Sequence, residues 1–572
     1  MKKFTPLFFL FAFFLNIFPS GSFAQNGNLT SDKNILIHRE VPGDAYLAPA
    51  ATKMTSPGYR YKSSGFFTVQ VNVDSEGNNI LNDAANEPSI ATDPTDPNKM
   101  AIGWRQFDNI SSDFRQAGYG YTVNGGLTWT FPGVIDPGVF RSDPVLDYDT
   151  AGNFYYNSLT HVVINDTYPT KVFKSTNGGA EWDAGVDAKG GDKQWMTIDR
   201  SGGIGTGNIY SSWTSYFSTC QPGFFTRSID GGASFQNCIE IPDSPYWGTQ
   251  TVGPDGELYV VGSASYSGGL VVAKSTTAKN PASAVTWDFT AFVDIDGYIS
   301  SGAPVNPGGL LGQANISVDC SNGPGHGNVY VLASVERISN NDHADVMFAK
   351  STDGGLTWGL PKRINNDPGT TRYQWFGTMS VAPNGRIDVI WLDTRDAPTG
   401  SYKSALYYCY SDDQGETWSI NKKLSGLFDS RIGWPQQQKM GDYYDMESDD
   451  GAAHLAWAAT FNGEQDVYFS HIIPEIVGIE EAGDNPELLT VTNYPNPFRD
   501  GTSIQYQVTG NQPVRVVICN IYGEEMKVLV DKIQPAGTYT VNMDASHLPA
   551  GFYLCRLTSG SQTTTARMIR VK

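Results

Sequence analysis

The chain has 572 residues, with 59 Asp and Glu against 39 Lys and Arg, for a formal charge of -20. A charge of that sign repels phosphate backbones and anionic lipid surfaces, which excludes nucleic acid as a natural partner. The 61 Gly, 32 Pro, 29 Phe, 29 Tyr and 13 Trp fit many short strands joined by tight turns, so an all-β fold is expected, in more than one domain.

The chain opens with Lys2 and Lys3, an apolar run to Phe18 and the small-residue site Ser22-Phe23-Ala24. This pattern predicts a signal peptide over residues 1–24, followed by an extension over 25–64. No later stretch approaches 18 uninterrupted apolar residues, so no transmembrane span is expected. The alternating segment GFFTVQVNVD, residues 65–74, has no hairpin partner of its own.

Seven strand–turn–strand units follow, beginning NEPSIATD, SDPVLDYD, DKQWMTID, YWGTQTVG, GQANISVD, QWFGTMSV and GDYYDMES. Between them recurs an octapeptide: TVNGGLTW, STNGGAEW, SIDGGASF, STDGGLTW and SDDQGETW. Its final aromatics are Trp129, Trp182, Phe235, Trp358 and Trp418, and a degenerate copy adds Trp287, giving spacings of 53, 53, 52, 71 and 60 residues. Strand-filled periods of this size read as propeller blades. The seventh unit lacks an outermost strand, and residues 65–74 are expected to supply it, closing the ring.

The octapeptide contains no nucleophile or base. Asn124, Asn177, Asp230, Asp353 and Asp413 are suited to accept backbone N–H bonds inside a turn, Gly-Gly permits positive φ, and the aromatic packs back between sheets. S-x-D-x-G-x-x-W resembles the Asp-box of sialidase-like (BNR repeat) propellers. The resemblance implies a structural role for these residues, on the outer part of each blade. Seven inner hairpins favour a seven-bladed propeller over residues 65–474, with six blades, as in true sialidases, the alternative.

Ligands of propellers bind where the innermost strands converge. Aligning the seven units places Glu87, Asp143, Lys193, Trp247, Gln313, Phe376 and Asp442 at equivalent positions. Glu87, Asp143 and Asp442 would then form an acidic arc facing exposed Trp195, Trp247, Trp375 and Phe376, an arrangement suited to sugar hydroxyls and ring faces. The acids read equally as caps on their strands or as ligands of a structural cation such as Ca2+. No other cofactor or metal is indicated. The family resemblance implies a Tyr nucleophile activated by Glu, an Asp acid/base and an arginine triad, for which Tyr443, Tyr444, Asp442, Glu87, Arg105, Arg395 and Arg431 are the candidates. The F/Y-R-I-P motif of true sialidases is absent, so exo-sialidase activity is not expected. Two classes remain, a binding module for extracellular glycan or glycoprotein and a glycoside hydrolase, with the binding module favoured.

Cys220 and Cys238 flank the third octapeptide, on two arms of one hairpin, where they can pair or stay free. Cys519 and Cys555 form a second candidate pair, and Cys320 and Cys409 read as buried thiols. After a polar linker over 475–488, residues 489–572 show alternating strands with Gly and Pro turns, enough for a small β-sandwich. The run NYPNPF from Asn493, the NIYGEEM turn, LPAGFYLCRL and the terminal RMIRVK resemble the type A sorting domain of the type IX secretion system of Bacteroidota. That resemblance implies passage through the periplasm and outer membrane with the secretion machinery as partner, removal of the domain, and release or attachment to the cell surface.

Overall fold

A computed structural model of the chain describes residues 44–46, 53–264, 268–474, 490–508, 511–520, 524–535, 537–560 and 562–571. The expected signal peptide, most of the extension, the linker and the centre of the NIYGEEM turn lie outside the described residues. The chain divides into two compact units, Met1–Gly478 and Ile479–Lys572. Apart from a 3-10 turn at Ser215–Phe217, the named elements are strands, and their sheets are antiparallel. Among the described residues no helix is long and apolar enough to cross a membrane.

In the first unit, besides a small two-stranded sheet of Thr55–Pro57 and Asn78–Ile80, seven sheets follow one another along the chain among the described residues. Their innermost strands are Ala84–Thr92, Ser142–Tyr148, Trp195–Ile198, Gln250–Val252, Asn315–Val318, Gln374–Val381 and Asp445–Ser448. Each packs against the innermost strand of the next sheet, and Asp445–Ser448 packs against Ala84–Thr92. The second strands, such as Ile387–Asp393, are buried along their whole length, except that Val329–Arg337 emerges at Glu336 and Arg337. A sheet covered on both faces buries both sides of its pleat, so these strands carry long apolar runs instead of clean alternation.

The seventh sheet is completed from the start of the chain. Phe66–Gln70 pairs antiparallel with Asp466–Ile472 in the register Phe66↔Ile472 to Gln70↔Tyr468, and Arg60–Ser63 pairs with it in turn. Thr68 and Ser470, directly opposite, join their hydroxyls at 2.8 Å. Strand 66–70 supplies apolar side chains to both faces and lies between Asp466–Ile472 and its own hairpin partner Arg60–Ser63, which forms the sheet edge and corrects the expectation that the segment has no hairpin partner.

The octapeptides are turns whose geometry follows from their composition. In the copy at 351–358, Asp353 Oδ1 accepts from Ser351 Oγ at 2.8 Å, Leu356 N at 3.1 Å and Thr357 N at 2.9 Å, and Oδ2 accepts from Thr357 Oγ1 at 2.6 Å. The terminal aromatic then crosses to the preceding sheet. Trp129 lies 5.3 Å from Phe469, Trp182 6.0 Å from Tyr119, Trp287 5.3 Å from Phe225 and Trp418 5.2 Å from Phe348. The first of these contacts joins the first sheet to the seventh. Gly126 sits at φ +81, and a Cβ there would run into the Phe469 ring. Only glycine meets both conditions.

Cys220 and Cys238 form a disulfide with Cα atoms 6.2 Å apart. Cys519 and Cys555 are both free and buried, which corrects the second pairing. The two strands are neighbours, but Cys519 stands opposite Leu554 and Cys555 opposite Ile518. Cys409 is buried as expected, whereas Cys320 is exposed, because its Asp/Gly turn holds it at a sheet end.

The second unit has two sheets, one of Thr490–Tyr494, Gly501–Val508 and Gly537–Asp544, the other of Glu525–Gln534, Gln512–Cys519, Gly551–Ser559 and Gln562–Arg570. A shared core of Ile504, Tyr506, Val516, Ile518, Leu557 and Met568 makes them a sandwich.

Candidate functional site

The seven aligned positions share a backbone feature. Glu87, Asp143, Lys193, Trp247 and Phe376 all adopt left-handed φ between 48 and 58 degrees, and Gly312 and Gly441 take positive φ immediately before Gln313 and Asp442. Non-glycine residues rarely hold this conformation, so the repeated kink is imposed by the surrounding structure.

The kink turns charged side chains toward one another. Arg105 Nε lies 2.9 Å from Glu87 Oε2, Lys193 Nζ 2.9 Å from Asp442 Oδ2 and 3.6 Å from Asp143 Oδ2, and Lys439 Nζ 2.8 Å from Asp442 Oδ2. The Asp442 amide donates to Glu87 Oε1 at 2.6 Å. Asp192 joins through Lys193, 3.4 Å away. Arg105, Lys193, Glu87, Asp143 and Asp442 have fully buried side chains. Burial pushes the Glu87 carboxyl upward against the pull of Arg105. At Asp143 burial also raises the carboxyl, but Lys193, Lys439 and Arg105 outweigh it and hold it low. The sequence placed Glu87, Asp143 and Asp442 together. The expected open acidic arc is corrected, because arginine and lysines neutralise it and no face is left to solvent. Those cations also stand where a structural Ca2+ was considered, and among the described residues no group of three or more His, Cys, Asp or Glu is arranged to hold a metal ion.

Two loops seal this centre. Gly308 N donates to Gln438 O at 2.7 Å, Met440 N to Asn306 Oδ1 at 2.8 Å, Leu310 N to Asp442 Oδ1 at 2.9 Å and Ser430 Oγ to Val305 O at 2.8 Å. Residues 303–311 and 430–442 therefore interlock over the ends of the inner strands. The expected aromatic side is covered with them: Trp195 is 9%, Trp247 3%, Trp375 0% and Phe376 1% exposed. Trp375 Nε1 donates to Ser404 Oγ at 3.0 Å, and Phe376 packs edge-on to Tyr444 at 4.7 Å. These rings are core, not a stacking platform.

The hydroxyls of Tyr443 and Tyr444 donate to the carbonyls of Pro144 and Ala458, each at 2.6 Å. Burial raises both phenols well above their usual range. Neither is poised as a nucleophile, which corrects that expectation. Arg105 is spent on Glu87, and Arg395 on Asp393 at 2.7 Å and on the Tyr407 ring at 4.4 Å. Arg431 is exposed, with its guanidinium 5.2 Å from the Tyr402 ring.

That ring borders an open cleft between the fifth and sixth sheets, at the same end as the starts of their inner strands. One hollow of about 240 Å³ is lined by His343, Arg372, Tyr373, Tyr402 and the hydroxyl residues Thr371, Thr394, Thr399 and Ser401. A second, of about 200 Å³, adjoins it through His343 and Tyr373 and is lined by Tyr298, Glu336, Arg337 and Asp342. Tyr298 donates to Glu336 Oε2 at 2.7 Å, and that bond pushes its phenol up to about 12. Burial, followed by repulsion from Asp345, pushes the Asp342 carboxyl up to about 6. Beneath, Arg337 and Arg363 pair with Asp345 and stiffen the floor. The sequence reading missed this cleft. Its signal was the density of Tyr, His and Arg in the loops NNDHAD, TTRYQW and DTRDAPTGSYK, together with the long 71-residue spacing.

Residues 492–572 match the family described as secretion system C-terminal sorting domain. The second unit carries an export signal. The sorting domain marks the protein for type IX secretion, to the cell surface or the medium. No curated protein matches the chain. Among solved structures, it is similar to a protein of unknown function from Dyadobacter fermentans, at 12% identity over 72% of this chain and 99% of that one, with a TM-score of 0.41. It is similar also to an α-L-arabinofuranosidase of Fusarium graminearum, at 12% identity over 71% and 97%, with a TM-score of 0.39. Trypanosoma rangeli sialidase aligns at 9% identity over 91% and 89%, with a TM-score of 0.37.

Proposed function

We propose that the seven sheets are the blades of one closed propeller, and that the exported protein binds extracellular glycan or glycoprotein without transforming it. The pairing of Phe66–Gln70 with Asp466–Ile472 and the Trp129–Phe469 contact support closure. Binding falls to the cleft between the fifth and sixth sheets, not to the sealed centre. The observation that carries this is the cleft itself: Tyr298, Tyr373 and Tyr402 border two adjoining hollows rich in hydroxyls, the combination of ring faces and hydrogen-bonding groups that sugars require.

The signal peptide at 1–24 and the sorting domain at 489–572 act as transport devices and are removed, leaving the propeller as the working protein. A glycan array probed with the secreted protein tests the reading. Binding to one glycan class, lost in Tyr373→Ala and Tyr402→Ala, is expected; binding indifferent to both substitutions contradicts it.

A hydrolase is the second reading, favoured by one observation. Tyr298, hydrogen-bonded to Glu336, shares its hollow with Asp342, whose carboxyl burial pushes up to about 6. Turnover of aryl glycosides that disappears in Glu336→Gln would establish it.

A further inference from the structure

The charge of the cleft is uneven, and the unevenness points to a class of sugar. In a chain of net charge -20, arginines are expected to find carboxylates, and in the first unit most do. Arg105, Arg141, Arg200, Arg337, Arg363, Arg386 and Arg395 are in ion pairs. Arg60 and Arg227 donate to backbone carbonyls, and Arg115 to Ser142 Oγ and the Asp113 carbonyl. Among the described residues of the first unit, Arg372 and Arg431 are the two whose guanidiniums have neither a hydrogen bond nor an ion pair. Both belong to the same place: Arg372 lines the larger hollow, and Arg431 lies over Tyr402, which forms its wall. That hollow has no carboxylate in its lining. The acids Glu336 and Asp342 stand in the adjoining hollow.

We infer that the cleft binds a saccharide carrying an anionic group, a carboxylate or a sulfate, on the ring that enters the larger hollow. This rests on the cleft being the glycan site. The anion meets the Arg372 guanidinium, whose planar fork suits either oxyanion, with Arg431 adding a second cation at the rim. Tyr373 and Tyr402 offer ring faces, and Thr and Ser hydroxyls complete the polar lining. The neighbouring sugar lies toward Glu336 and Asp342, where its hydroxyls donate to carboxylates. An anion placed the other way round would face those acids, so the two hollows also set the direction of the chain.

The test is calorimetric titration of the secreted protein at low salt with matched oligosaccharides, ending in glucuronate or glucose, and in galactose 6-sulfate or galactose, with inorganic sulfate as a further arm. The charged member of a pair should bind roughly tenfold tighter, the yield of one charge-assisted hydrogen bond. The preference should collapse in Arg372→Gln, remain weak in Arg372→Lys, and fade as salt is raised. Which pair shows it distinguishes carboxylate from sulfate. Equal binding of charged and neutral members, both lost in Tyr402→Ala, overturns this inference and leaves the glycan site standing. Inorganic sulfate binding as tightly as the charged saccharides also overturns it, since the sugar would contribute nothing. A preference unchanged in Arg372→Gln overturns the assignment to this hollow. Absence of binding to every saccharide overturns both the inference and the reading beneath it.

Discussion

At the level of single residues, the octapeptide acid is a hub of four hydrogen bonds on an exposed turn. Asp353 should therefore matter for stability and not for binding. Asp353→Ala is expected to lower stability by about 1–2 kcal/mol in urea unfolding, the worth of a small set of hydrogen bonds to a charged acceptor. The hydroxyl and amide of Thr357 hold its carboxyl at about 2. Its contribution is present above the unfolded carboxylate range and lost as pH falls through about 2. Asp466 behaves in the opposite sense. Burial lifts it to about 7, despite hydrogen bonds from Asn72, Asn462 and Tyr468. A raised carboxyl favours the folded state below its unfolded pKa, and that advantage is lost as pH rises through 7. Stability should fall between about pH 4 and 7, and Asp466→Asn should flatten the fall; an equal slope in both proteins would refute the assignment. The sequence showed where acids recur but not which are buried. Glu87, Asp143 and Asp442 are sealed by residues 303–311 and 430–442, and no local pattern around the acids records that cover.

Whole elements were more legible. Each octapeptide had a composition that specifies a turn whatever surrounds it, and the seventh unit visibly lacked a strand that the strand-like segment 65–74 could supply, whereas the polar run Arg60–Ser63 gave no sign that it would pair with that segment. A strand-like apolar segment outside every unit and a sheet short of its outermost strand sufficed to match the two. The excess length in the 71- and 60-residue spacings was equally visible, but length alone does not say where a loop goes. Closure by the first strand has a direct test. Thr68→Cys with Ser470→Cys places thiols opposite each other across a loop of about 400 residues. Once oxidised, the pair should raise stability by about 3–5 kcal/mol over the wild type. Failure to oxidise, or no gain in melting temperature, would mean that the ring is not closed there.

For the molecule as a whole, a net charge of -20 and the sorting domain describe a protein built for the outside of the cell. Intact-mass analysis of medium and cell surface should show loss of residues 1–24 and a cut within about residues 472–492, where the chain passes from one unit to the other. Retention of the sorting domain on most surface protein would contradict the transport role. The division between a sealed centre and an open flank is the central claim, and hydrogen exchange read by mass spectrometry tests it most directly. Exchange is followed on the secreted protein with and without the glycan that the array identifies. Protection on binding should appear in 338–344, 370–374 and 394–403, the loops of the cleft, and leave 436–442 unchanged. Protection concentrated in 436–442 and 303–311, with the cleft loops unaffected, would place the ligand at the centre and contradict the account.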